Sequence, residues 1–224
     1  MRYVTWCFVA VYLVLTALYL RKPKPAQKHG RVFNKTALAV LYFLHAVFAL
    51  FAVRHFDAPE LLAILAALSL CMAGDIVIQY RFVTGAVLFF AANLVFFSYQ
   101  IWSLHELGLK LKNVIWFIPV SAALVALAAW LEKIKWLKLG RLISAAILYL
   151  ASVTFSGTLA LAVAFSGRGG PGTRLLGAGL ALFMISDYFL IYREFRKKSR
   201  LAGACNTVSY FIGMMLVSLS VLWL

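Results

Sequence analysis

The run APELLAILAALSLCMAGDIVIQYR, residues 58–81, decides how this chain folds. From Leu61 to Gly74 it carries no charge, and crossing a bilayer as a helix takes about 20 predominantly apolar residues. Pro59 suits the first turn, where its missing N–H costs nothing. Tyr80 and Arg81 close the run with the aromatic and basic side chains that favour the membrane–water interface. The run reads as a transmembrane helix, and an acid, Asp75, lies inside it.

Seven further runs of the same kind flank it, at 4–20, 33–53, 83–104, 113–131, 141–165, 174–192 and 201–224. The expected fold is all-α, a polytopic transmembrane bundle of about eight helices forming a single domain over residues 1–224. Composition agrees. The chain is 64% hydrophobic and 13% charged, against roughly 45–50% and about 25% for a soluble domain. Residues 4–20 lack a basic n-region and a small-residue cleavage site and end at Arg21-Lys22, so they read as the first span and not as a signal peptide. Pro119 falls within the fifth run, where a kink is expected. The glycine-rich stretch 167–172 reads as a loop; it lacks the Lys-Ser/Thr ending of a phosphate-cradling loop. Cys7, Cys71 and Cys205 sit in apolar runs without metal-ligand spacing and read as packing residues.

The formal net charge is +15. In a soluble protein that excess points to nucleic acid; here the cations lie between spans, with no basic stripe interleaved with aromatics, so nucleic acid is not an expected partner. Most cations cluster on one side. The 1–2 connection holds Arg21, Lys22, Lys24, Lys28, Arg31 and Lys35, the 3–4 turn Arg81, the 5–6 turn Lys133, Lys135, Lys138 and Arg141, and the 7–8 turn Arg193, Arg196, Lys197, Lys198 and Arg200. The opposite side holds Arg2, Arg54, Lys110, Lys112, Arg168 and Arg174. The positive-inside bias then places both termini outside the cytoplasm; in a bacterial cell the membrane would be the cytoplasmic one.

Residues 75–81 and 187–193 share one pattern, Asp, four residues, Tyr-Arg, at an offset of half the chain. Asn93 follows Asp75 much as Asn206 follows Asp187. Helices 1–4 would then correspond to 5–8, two four-helix repeats of parallel orientation. Each Asp precedes its Arg by six residues, which sets both carboxyls about 9 Å inside the cytoplasmic end of their helices. An acid in a bilayer costs on the order of 2.5–3.5 kcal/mol on insertion scales and is a functional-site hypothesis by default; pairing with a nearby cation or capping a helix is the bland alternative. Two neighbouring carboxyls can divide the work, one protonated as general acid and one ionised.

Three classes use such acids. A hydrolase uses them as acid and base, a proton-coupled transporter as proton carriers, and an aspartyl intramembrane protease as a catalytic dyad. Gly74-Asp75 is half of a Gly-x-Gly-Asp signature, but residue 72 is Met and no Tyr precedes Asp187. Among the histidines only His45 is well inside a span, where a hydrogen-bonded packing role is expected, and a three-ligand metal site is not expected. Ser156 and Ser186 lack a His-acid partner pattern, which disfavours a serine hydrolase. Tyr149, Ser152 and Ser156 are candidates to line a cavity on helix 6.

Leu70-Cys71-Met72-Ala73-Gly74-Asp75, followed by Gly85, Phe89 and Asn93, resembles the YhhN-type lysoplasmalogenase family. Gly177-Ala178 leading to Phe183, Ile185, Ser186 and Asp187 resembles that family's second signature, Asn34-Lys35-Thr36 its Lys-Pro at the start of helix 2, and Tyr210-Phe211 the aromatic pair of its last helix. The chain departs from the family in carrying Asn93 where His is usual and Met214 where Gln or His is frequent. Asn hydrogen-bonds but carries no proton near neutral pH.

The resemblance implies hydrolysis of the vinyl-ether bond of lysoplasmalogens, without metal or cofactor, to a fatty aldehyde and a glycerophospho-head group. Asp75 and Asp187 are the implied catalytic pair, by analogy with the two carboxyls of glycoside hydrolysis. Lys35 is a candidate point charge for the lipid phosphate, and Asn93, Tyr149, Ser186, Asn206 and Tyr210 are candidates for the substrate site. The expected partners are a lysophospholipid substrate and the bilayer itself.

Overall fold

The computed structural model describes residues 2–21, 28–53, 59–137, 140–197 and 199–224, with residues 2 and 28–32 described as helical backbone alone. Lys22, Lys24, Arg54, Lys138 and Lys198, counted above for orientation, lie outside the described residues. Among the described residues eight α-helices run in order: α1 (Arg2–Leu20), α2 (Lys28–Val53), α3 (Pro59–Val77), α4 (Phe82–Glu106), α5 (Phe117–Lys133), α6 (Ile143–Phe165), α7 (Pro171–Phe195) and α8 (Arg200–Ser220). Single 3-10 turns lie at Leu111–Asn113 and Gly140–Leu142, and no strand occurs among the described residues. Seven of the eight helices are long and apolar enough to cross a membrane. The other, α5, has 17 residues, or about 25 Å at 1.5 Å per residue, against a hydrocarbon core of about 30 Å.

Several helix ends differ from the sequence reading for identifiable reasons. The fifth helix begins at Phe117 and not near residue 113, because Leu111–Asn113 forms a separate 3-10 turn. Pro119 therefore falls in the first turn of α5, where its missing donor is harmless, and the expected kink has no cause. Pro171 occupies the start of α7, so the helix takes in the end of the glycine-rich stretch. The third helix stops at Val77, short of residue 80; the amides of Tyr80 and Arg81 both turn back onto the Val77 carbonyl. Gly85 permits this tight connection, since a Cβ there would meet Ile78 at 2.5 Å. Asp75 thus occupies the last turn of α3, while α7 runs on two turns beyond Asp187.

The helices pack in a pattern that repeats at the four-helix offset. Consecutive helices pack within each half, so α1–α2, α2–α3 and α3–α4 match α5–α6, α6–α7 and α7–α8. The halves meet through α4 on α6 and α2 on α8, contacts that interchange under the same correspondence. This is the relation the Asp-Tyr-Arg echo predicts. Helix α1 sits outermost on α2 and α8, held by the Tyr12 hydroxyl donating to the Phe211 carbonyl at 2.9 Å. The outward-facing side chains are large and apolar, among them Trp6, Leu13, Phe51, Val87, Trp130 and Leu148, as a lipid-facing surface requires.

The tightest seam is α7 against α8. A Cβ on Gly179 would meet the Gly213 carbonyl oxygen at 2.7 Å, and a Cβ on Gly213 would meet the Gly179 oxygen at the same distance. Close backbone approach between small residues is how helices associate where lipid removes the hydrophobic drive. Gly179→Ala should destabilise the protein by about 1–3 kcal/mol through overpacking. Gly203→Ala, whose nearest neighbour would be 3.7 Å away, should leave the midpoint unchanged or slightly raised. Thermal unfolding of both variants in detergent tests the contrast.

Candidate active site

On α3, Asp75 is 1% exposed and fully interior. Its carboxylate receives three donors from two other helices. Lys35 Nζ lies 3.2 Å from Oδ1, and the hydroxyls of Tyr42 and Tyr210 donate to Oδ2 at 3.1 and 2.6 Å. Lys35 and Tyr42 are seven residues apart on α2, two turns on one face, so a single helix presents both. Tyr210 arrives from the middle of α8. Gln79 fixes the turn that ends α3: its Nε2 donates to the Asp75 carbonyl at 3.0 Å and to Thr36 Oγ1 at 3.3 Å.

The second acid has the same arrangement with fewer partners. Asp187 on α7 is 3% exposed and accepts from the Tyr149 hydroxyl of α6 at 2.6 Å. Tyr149 on α6 thus stands to Asp187 as Tyr42 on α2 stands to Asp75. Among the described residues no cation pairs with Asp187 and no second hydroxyl reaches it. Residue 142, the counterpart of Lys35 two turns before this tyrosine, is Leu.

Both acids are tied to α8, Asp75 directly and Asp187 through the backbone of its neighbour. Tyr210 bonds Asp75, and one turn earlier Asn206 Nδ2 donates to the carbonyl of Ser186, next to Asp187, at 2.8 Å. Between them the rings of Phe89, Phe183 and Tyr210 meet edge to face, with centroids 5.6–6.0 Å apart. The Phe89 ring also fills the space over Gly74, where a Cβ would lie 3.1 Å from it.

The structure gathers Asp75, Lys35 and Tyr210 directly and links Asp187 with Tyr149. Asn206 binds the backbone beside Asp187, and the Ser186 hydroxyl donates to the Phe183 carbonyl of its own helix. Asn93 donates to the Phe89 carbonyl at 2.9 Å, leaving its Oδ1 buried without a partner. Ser152 donates to the Tyr149 carbonyl, and Ser156 accepts from Gln100. His45 is a hydrogen-bonded interior residue, with Nδ1 2.8 Å from Ser218 Oγ. Since Ser218 gives its proton to the Tyr42 carbonyl at 2.7 Å, His45 Nδ1 is the donor of that pair. His55 lies outside the described residues.

Tyr42 is the residue that sequence reading missed. One signal was present, its two-turn spacing from Lys35 on one helix face; the half-chain offset gives no help, since it carries Tyr42 to Thr154 and not to Tyr149.

The fold and site define a polytopic helical membrane protein whose interior holds a pair of aspartates, each bonded by a tyrosine from the preceding helix. Residues 30–221 match the YhhN family, and the chain belongs to it. That match takes in α2–α8 and every residue of the site. Comparison with curated proteins and with solved structures finds no match.

Removing one partner of a buried ion pair strands the other. Lys35→Met should therefore cost about 3–5 kcal/mol of stability, and Asp75→Asn added to it should restore most of the loss. Equal melting of Lys35→Met and the unaltered protein would mean that the Lys35–Asp75 contact carries no weight.

Proposed function

We propose that this chain is a membrane-embedded hydrolase that cleaves the vinyl-ether bond of lysoplasmalogens, releasing a fatty aldehyde and a glycerophospho-head group. The observation that carries the reading is the unequal setting of two like acids. Asp75 faces an ammonium and two phenolic donors, a set that holds it as a carboxylate. Asp187 has one phenolic donor and, among the described residues, no cation, so it is the member able to hold a proton. Family membership supports the reading.

The chemistry closes on these two groups. Asp187 gives its proton to the alkenyl carbon remote from the ether oxygen, leaving an oxocarbenium ion. Water adds to the carbon next to that oxygen while Asp75 takes the released proton. The hemiacetal then collapses: Asp75 returns its proton to the glycerol oxygen, and Asp187 accepts the hemiacetal hydroxyl proton. One water is consumed and both acids regain their starting states, the exchange of roles familiar in glycoside hydrolysis. Neither metal nor cofactor takes part.

In this assignment Lys35 sets the charge of Asp75 and does not serve the lipid phosphate. Tyr149 and Tyr210 orient the two carboxyls, and Ser186 and Asn206 fix the α7 turn that carries Asp187. With both termini outside the cytoplasm, the C-terminal ends of α3 and α7 point to the cytoplasmic face, so substrate enters from the leaflet on that side.

Purified protein given lysoplasmenylethanolamine should release fatty aldehyde. Asp75→Asn and Asp187→Asn should each lower kcat by about 10²–10⁴-fold, the usual worth of a positioned acid or base. Aldehyde release by the double variant would remove the aspartates from the mechanism. Absence of turnover on any vinyl ether, together with pH-driven solute uptake into liposomes, would favour transport instead.

A further inference from the structure

Hydrolysis needs water, and the acids lie in a part of the bundle walled by apolar rings. The structure offers one polar line toward them. On α4, Asn93 and Gln100 are 1% and 2% exposed, and each has a side-chain carbonyl oxygen, Oδ1 and Oε1, that is buried without a partner. Seven residues apart, they share one helix face at a spacing of about 10.5 Å. A buried, unpaired amide oxygen is costly, and an ordered water is the usual remedy.

The facing helix carries a matching stripe. Tyr149, Ser152 and Ser156 lie on one side of α6, and Gln100 Nε2 joins the stripes by donating to Ser156 Oγ at 3.4 Å. At the inner end Tyr149 bonds Asp187, and Asn93 stands one turn beyond Phe89, whose ring touches Phe183 and Tyr210. At the outer end a small cavity opens between α4, α6 and α7, lined by Gln100, Ser103, Ala160, Thr173 and Gly177 among others. It has room for about one water molecule, and Gln100, Ser103 and Thr173 are its polar lining residues. Thr173 is in the first turn of α7, near the face opposite the one to which α3 and α7 run.

We propose that the α4–α6 seam delivers water to the aspartate pair, one molecule held at Gln100 Oε1 in this cavity and a second at Asn93 Oδ1 toward the inner end of the seam. The delivery role rests on the hydrolase reading; the two water sites do not. Gln100 and Asn93 are then positioning residues that act through water.

Radiolytic hydroxyl labelling in H₂¹⁸O, read by mass spectrometry, tests the outer site directly. Tyr99, which borders the cavity, should be labelled several-fold more than Tyr12, whose buried hydroxyl is satisfied by protein. Gln100→Leu should bring Tyr99 down to the Tyr12 level, and Gln100→Glu, which keeps an acceptor oxygen, should not. If Gln100→Leu does not fold, Thr173→Leu fills the same cavity and should give the same loss. Labelling of Tyr99 that never exceeds Tyr12, or that survives both substitutions, overturns the outer water site. For delivery, Gln100→Leu should lower kcat on lysoplasmenylethanolamine about tenfold with KM nearly unchanged, the mark of an interaction used after binding, and Gln100→Glu should recover it. Full turnover by Gln100→Leu overturns the route. If the unaltered protein cleaves no vinyl ether, the hydrolase reading falls, and the labelling alone decides whether the outer water site exists.

Discussion

A carboxylate in hydrocarbon must find donors within the protein, because the solvent supplies none. Much of this bundle is arranged around that requirement for Asp75. Helix α2 brings Lys35 and Tyr42 on one face, and α8 brings Tyr210. Helix α3 ends within two residues of the acid, where Gln79 caps the Asp75 carbonyl and ties the turn to Thr36. The same carboxylate therefore holds three helices together, and the mutual approach of Gly179 and Gly213 locks α8, the helix that carries Tyr210, against α7, which carries Asp187.

The two halves of the chain share a plan and differ in one charge. Each places a tyrosine of its second helix on an aspartate of its third. The first half adds Lys35; the second has Leu142 at the corresponding place. A symmetric pair of acids would give two like groups competing for one proton. In the proposed mechanism the single lysine breaks that symmetry, with the charge on Asp75 and the proton on Asp187. Division of labour between two carboxyls by environment is the general route to acid and base function in one site.

The bundle was legible in the sequence because lipid imposes long apolar runs, and eight helices occur where eight runs were read. The placement of Asp75 and Asp187 on the third and seventh helices followed from the same runs and from the Asp-Tyr-Arg echo. What the runs could not show was where a helix stops inside apolar sequence. Ile78 and Tyr80 have the composition of a span, and the turn after Val77 depends on Gly85 letting α4 close onto Ile78. The fifth helix was misjudged for a similar reason, since Leu111–Asn113 forms a separate turn ahead of it. The contact of Lys35 with Asp75 was not legible because 40 residues of sequence separate them; only the packing of α2 on α3 brings the two together. Tyr42 was hidden among the aromatics that any membrane helix carries.

The central claim is that Asp187 delivers a proton to carbon while Asp75 serves the water. Turnover in D₂O, with the aldehyde reduced to its alcohol as it forms, reads this delivery directly. Proton transfer from a fixed carboxyl predicts one deuterium on the carbon next to the former aldehyde carbon, on a single face. Deuterium spread equally over both faces, or unchanged incorporation in Asp187→Asn, would show that the proton does not come from this residue.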